Sequence, residues 1–146
     1  MSFEEWEKTV PETITADTLW KMKAYRLALY LSELCWQDAS VLFEDKRTIS
    51  LGDQLYRAVG SISANLAEGY SRSTGKDRAL FYQYALGSAR ESRDWYFKGR
   101  FILGDEISRQ RGQVITEILR LLLTMIPQQR GHVIREDVHP YDIDPV

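Results

Sequence analysis

Arg57-Ala58-Val59-Gly60-Ser61-Ile62-Ser63-Ala64-Asn65-Leu66-Ala67-Glu68-Gly69 and, after a polar turn, Phe81-Tyr82-Gln83-Tyr84-Ala85-Leu86-Gly87-Ser88-Ala89-Arg90-Glu91 decide the fold of this chain. Both stretches have helical spacing, and their shared face is built from serine, alanine and glycine. Side chains this small let two helix backbones approach closely. If the helices run antiparallel about a turn near Ser73, Asn65 faces Phe81, Ser61 faces Ala85 and Ala58 faces Ser88. Arg57 then falls within about half a turn of Glu91, a candidate ion pair to hold the register. Glu68 falls near Lys76 and Arg78. Arg57, Ser61, Asn65, Glu68, Gly69, Ala85, Gly87, Ser88 and Glu91 are therefore read as a structural motif, with the default that they join two helices.

Working outward, apolar residues recur at helical spacing on both sides of this pair. Leu19, Met22, Leu27, Tyr30, Leu31, Leu34, Ala39 and Leu42 mark a first helix, with Asp17 or Thr18 as its cap. Ser50 and Asp53 resemble a capping box for the second helix, which Gly69 and the Ser71–Gly75 segment should end. The third helix starts at Thr74 or Gly75 and runs to about Leu103. Gly104 breaks it, and Asp105 is placed to cap a fourth, whose stripe includes Ile107, Val114, Ile115, Ile118, Leu121, Leu122 and Met125. Pro127 and Gly131 should close that helix. The expected fold is all-α, an up-down-up-down four-helix bundle over residues 17–127. Residues 1–16 form an arm anchored by Phe3 and Trp6, and residues 128–146 an extended or disordered tail.

The chain has 146 residues, enough for one domain with a core that needs no disulfide. The N-terminus carries Glu4, Glu5 and Glu7 where a signal peptide would be basic, and the single cysteine, Cys35, agrees with a reducing compartment; the expected location is cytoplasmic. The net charge of −2 conceals a segregation. Residues 1–17 carry −4 and residues 127–146 carry −2, which leaves 16 basic and 12 acidic residues, a net of +4, over residues 18–126. A mildly basic body with acidic ends suits a polyanion or, through those ends, a basic partner.

Enzyme signatures are missing. No phosphate-binding glycine loop occurs, and both histidines, His132 and His139, fall outside the expected bundle, away from any serine or cysteine nucleophile. A carboxylate-bridged metal centre needs Glu-x-x-His pairs on facing helices, but Glu91 is followed by Asp94. No catalytic residue, metal or cofactor is expected. The candidate contacts for nucleic acid are basic: Arg72, Lys76 and Arg78 around the turn between the second and third helices, and Arg90, Arg93, Lys98, Arg100, Arg109 and Arg111 toward the opposite end. Arg90, Arg93, Phe97 and Arg100 share a stripe of the third helix, and arginines beside an aromatic ring hold phosphates and stack on bases. The alternative is a solvated face neutralised by Glu91 and Asp94. Aromatic residues exceed what one core-facing stripe needs: Phe81, Tyr82, Tyr84, Trp95, Tyr96, Phe97 and Phe101 on the third helix, and Trp20, Tyr25, Tyr30 and Trp36 on the first. A second apolar face suggests self-association.

Ser61-Ile62-Ser63-Ala64-Asn65-Leu66-Ala67-Glu68-Gly69 resembles the S-I-x-x-N-I-A-E-G motif, and Phe81 through Glu91 the F-L-x-x-A-x-G-S-x-x-E motif, of the bacterial large-subunit (23S) ribosomal RNA intervening-sequence proteins. That family is similar in turn to the accessory variability proteins of diversity-generating retroelements. The resemblance spans about residues 19–126, with Leu66 in place of the usual isoleucine. It implies an antiparallel four-helix bundle assembled as a ring-shaped homopentamer. The retroelement relatives bind nucleic acid and a reverse transcriptase, so the implied role is a non-enzymatic nucleic-acid-binding or scaffold protein. The alternative role is a protein–protein adaptor that recruits a basic partner, such as a nucleic-acid enzyme, through its acidic termini.

Overall fold

The computed structural model describes residues 1–131. Every regular element among them is helical: α1 (Phe3–Glu7), α2 (Glu12–Thr15), a 3-10 turn (Thr18–Lys21), then α3 (Lys23–Leu42), α4 (Ile49–Tyr70), α5 (Gly75–Lys98), α6 (Arg100–Leu103) and α7 (Asp105–Gln129). Four long helices carry the core. α4 packs on both α3 and α5, α5 packs on α7, and α7 returns to α3. Leu31, Leu55, Ile62, Leu66, Ala85 and Ile118 are fully buried where these helices meet. Each large aliphatic side chain buried in this way contributes roughly 1.5–3 kcal/mol.

The α4–α5 contact is built on small residues, as expected, but in a different register. The Ser61 and Ser88 hydroxyls share a hydrogen bond of 2.8 Å, so Ser61 meets Ser88 and not Ala85. The first turn of α5 also packs against the end of α7: a Cβ on Gly75 would lie 1.9 Å from the Gln129 carbonyl oxygen. Gly69 does not stop α4; it lies inside the helix, and a Cβ there would come within 2.8 Å of Phe81 and Tyr82. α4 ends one residue later, at Tyr70, where the expected Ser71–Gly75 segment begins; Ser71 caps it, its hydroxyl donating to the Ala67 carbonyl at 2.8 Å. With this register the two expected ion pairs across the contact do not form. Arg57 turns to Asp53 at 3.4 Å and Glu68 to Arg72 at 2.7 Å, each partner one turn away on the same chain segment, while Glu91 is exposed. Asn65 donates to the Ser61 carbonyl within its own helix.

Helix ends depart from expectation for local reasons. The Ser50–Asp53 capping box is absent: α4 starts at Ile49, and buried Thr48 donates its hydroxyl to the Leu42 carbonyl at 2.6 Å, tying α4 to the end of α3. Asp17 caps the 3-10 turn instead of the long helix, accepting from the Leu19 amide. Thr74 caps α5 as expected, accepting from the Asp77 amide. The third helix divides at Gly99, which is wedged against Leu42 and Leu51, and Gly104 (φ +91°) makes the reversal into α7 that only glycine tolerates easily. Asp105 is therefore inside α7 and caps nothing. Pro127 also lies inside α7, where the Arg130 amide still reaches the Ile126 carbonyl, and Gly131 (φ +85°) follows the helix.

The N-terminal arm is folded onto the bundle. α1 carries a complete capping box between Ser2 and Glu5, and Trp6 is buried. Its ring stands 5.5 Å from Tyr30 and 6.1 Å from Trp20, while Phe3 also packs on Tyr30. Tyr30 donates to the Met1 carbonyl, and Glu7 pairs with Arg26 at 2.6 Å. Part of the aromatic surplus of the first long helix is thus covered by the chain's own N-terminus. His132, His139 and most of the expected tail lie outside the described residues.

Candidate nucleic-acid interface

The end of α5, α6 and the start of α7 line an open cleft of about 480 Å³. Helical spacing places Arg93, Phe97 and Arg100 on one wall. The Gly104 reversal brings Arg109 and Gly112 of α7 opposite them, and the Ser108 hydroxyl pins the two helices by donating to the Tyr96 carbonyl at 3.0 Å. Arg100 stands over two rings, 3.9 Å from the Phe97 centroid and 4.3 Å from that of Phe101, and donates to the Phe97 carbonyl. Both rings are unusually open for phenylalanine, 59% and 81% exposed. Among the described residues, Arg93, Arg100 and Arg109 take part in no ion pair. Arg93 makes only a long contact of 3.5 Å with the Thr116 hydroxyl.

Asp105 and Glu106 also line the cleft, so its rim holds three cations and two anions. Both acids belong to the first turn of α7, where the helix dipole favours them. The cleft can hold one phosphate among its arginines and offer the Phe97 ring to a planar group. It does not form a continuous basic track.

The other basic candidates are placed differently. Arg72 is paired with Glu68 and lies 4.5 Å over Phe81. Arg78 donates to the Arg72 carbonyl at 2.9 Å and covers Tyr70. Those two side chains hold the α4–α5 turn together, which leaves Lys76 as the exposed cation there without an ion pair among the described residues. Along α5, Lys76 and Phe97 are about 30 Å apart, so the turn cluster and the cleft are separate places. Lys98 pairs with Asp94 at 2.8 Å and covers Trp95. Arg90 is exposed and lies outside the cleft lining.

Arg111 is not a phosphate contact. Its guanidinium grips Asp38 of α3 at 2.7 and 3.1 Å, and Tyr96 donates to the same carboxylate at 2.7 Å. The Arg111 and Asp38 side chains are only 12% and 6% exposed. Burial works against the charge of Arg111, but the Asp38 carboxylate outweighs it and raises the arginine's pKa. Burial, with the nearby Cys35 and Asp38, holds the Tyr96 hydroxyl protonated, and burial pushes the Cys35 thiol up to about 12. Asp38 carried a signal in the sequence: it is a carboxylate set within the apolar stripe of Leu31, Cys35 and Leu42. Its partner lies 73 residues away, beyond the reach of spacing arguments.

The sequence profile of the 23S rRNA-intervening sequence proteins matches residues 20–123, which include both small-residue motifs and the whole cleft. The chain belongs to that family. A solved structure, a protein of unknown function from the S23 ribosomal protein family of Bacteroides thetaiotaomicron VPI-5482, superposes on it with a TM-score of 0.66. The match covers 70% of this chain and 97% of that one at 22% identity, a likeness of fold. No curated protein matches the chain.

In this intervening sequence protein the family motifs serve two faces. Ala58, Ile62, Leu66 and Ala85 are buried in the bundle, and Ser61 and Ser88 join its helices. Gly60 and Gly87 are exposed, and a Cβ on either would meet nothing within 4 Å. Ala64 and Tyr84 are exposed beside them. Among the described residues no cluster of histidine, cysteine and carboxylates has the makings of a metal site, and no helix is long and apolar enough to cross a membrane.

Proposed function

We propose that this chain is a non-enzymatic, up-down-up-down four-helix bundle that assembles with copies of itself, as a ring of about five, and binds RNA through the cleft of Arg93, Phe97, Arg100 and Arg109. The observation that carries this reading is a cleft lined by three arginines, none in an ion pair among the described residues, and by the exposed Phe97 ring, over which Arg100 is stacked. Guanidinium groups paired with aromatic faces suit a nucleic-acid strand, whose phosphates and bases need both. The family's association with 23S rRNA intervening sequences favours RNA as the polyanion. Self-association is supported by the open α4–α5 surface, where Gly60 and Gly87 leave backbone bare for a close neighbour, and by the exposed Leu80 and Tyr84 beside it. A ring would repeat a cleft of modest charge and so strengthen its field.

The test is fluorescence anisotropy of labelled RNA with the purified full chain at low salt, with its mass in solution measured alongside. Wild type should bind, and the Arg93→Glu/Arg109→Glu double variant should lose at least about tenfold in affinity without loss of helicity. No binding by wild type, or equal binding by the double variant, would sink the reading.

A further inference from the structure

Glycine is the poorest helix former after proline, so a glycine inside a long helix needs a reason. The fold supplies one for most of the nine in this chain. Gly52, Gly69 and Gly75 stand where a Cβ would strike a neighbouring residue, as does Gly99 to a lesser degree. Gly104 and Gly131 hold positive φ. Gly60, Gly87 and Gly112 have neither reason: each lies inside a long helix with ordinary φ, and a Cβ there would meet nothing within 4 Å; of the three, Gly112 is the one in the cleft lining. It belongs to the lining of the arginine cleft, about one turn along α7 from Arg109. The space left open at Gly112 is therefore part of the cleft, and any larger side chain would take up that space.

We infer that the cleft receives a single unpaired nucleotide of an RNA strand, with the base stacked on Phe97 against the opening at Gly112 and the phosphate held by Arg93 and Arg109. The inference rests on the RNA-binding reading above and narrows it. Three features select an unpaired nucleotide over a duplex. The Phe97 ring lines the cleft and is 59% exposed with Arg100 over one face, and only an unpaired base has a free face to stack on what remains open. The cleft is about 480 Å³ and open to solvent, a size that admits one nucleotide and not the width of a paired helix. Asp105 and Glu106 on the rim interrupt the basic surface, which disfavours the regular run of phosphates that a duplex would lay across it.

The experiment compares wild type, Gly112→Leu, Phe97→Ala and Arg93→Glu/Arg109→Glu, all as full chains. The probes are a labelled oligouridylate of about 10 nucleotides and a blunt RNA duplex of the same length, followed by anisotropy at about 50 mM salt. Thermal melting is recorded in parallel. Wild type should bind the single strand at least about tenfold more tightly than the duplex. Gly112→Leu should melt a few degrees higher, because leucine favours the helix, and yet lose about tenfold or more in single-strand affinity. Phe97→Ala should lose about tenfold with an unchanged melting temperature. A Gly112→Leu variant that is more stable and binds as wild type does would overturn the inference, as would equal affinity for the two probes. If either occurs while Arg93→Glu/Arg109→Glu abolishes binding, the RNA-binding reading survives without this refinement. If wild type binds neither probe, that reading fails and the refinement fails with it.

Discussion

Arg109 and Arg111 stand two residues apart on α7 and belong to two different regions of the molecule. Arg111 turns inward to Asp38 and Tyr96 and closes the junction of α3, α5 and α7. Arg109 turns to an open cleft and pairs with no acid among the described residues. The same residue type is consumed by the fold in one place and left available in the other. The turn between α4 and α5 repeats the lesson: its two arginines hold the turn together, and only Lys76 is left over. A count of basic residues along a sequence therefore overstates the surface that remains for a ligand.

The contrast breaks first at the buried junction. Arg111→Ala leaves the Asp38 carboxylate buried without its cation, and urea denaturation should show a loss of about 3–5 kcal/mol. Arg109→Ala should stay within about 0.5 kcal/mol of wild type. A similar cost for both would erase the distinction between the two regions. The junction also shields Cys35. With its thiol held up to about 12 by burial, reaction with a disulfide reagent at pH 8 should be at least about a hundredfold slower in the native protein than in urea. Reaction at the rate of an unfolded thiol would mean that the junction opens readily. A smaller effect is expected at the α4–α5 contact, where Ser61→Ala removes one inter-helix hydrogen bond and should cost about 1 kcal/mol.

These two regions also differ in how far they were legible before the structure. The four long helices follow from apolar spacing, since each buries one continuous stripe. α1 and α2 escaped because an element of one turn has no period to detect. The register of α4 on α5 differs from the pairwise expectation by nearly a turn, and the first turn of α5 also packs on Gln129 of α7, a contact no pairwise argument includes. Half of the cleft was visible as the Arg93–Phe97–Arg100 stripe on one helix. The sequence also groups Arg109 with that stripe at one end of the bundle, and the Gly104 reversal decides that Gly112 and the two rim acids meet it as well. The buried junction was hidden in full, since Asp38, Tyr96 and Arg111 come from three helices and approach only through the packing of the whole bundle.

The cleft as the place of polyanion contact is tested most directly by the salt dependence of RNA affinity, measured in parallel for wild type, Arg93→Ala, Arg109→Ala and Arg72→Ala. Each phosphate contact that is removed should flatten the slope of log affinity against log salt by about one unit. The account predicts that flattening for Arg93→Ala and Arg109→Ala, and a wild-type slope for Arg72→Ala. A flattened slope for Arg72→Ala with unchanged slopes for the two cleft variants would contradict it.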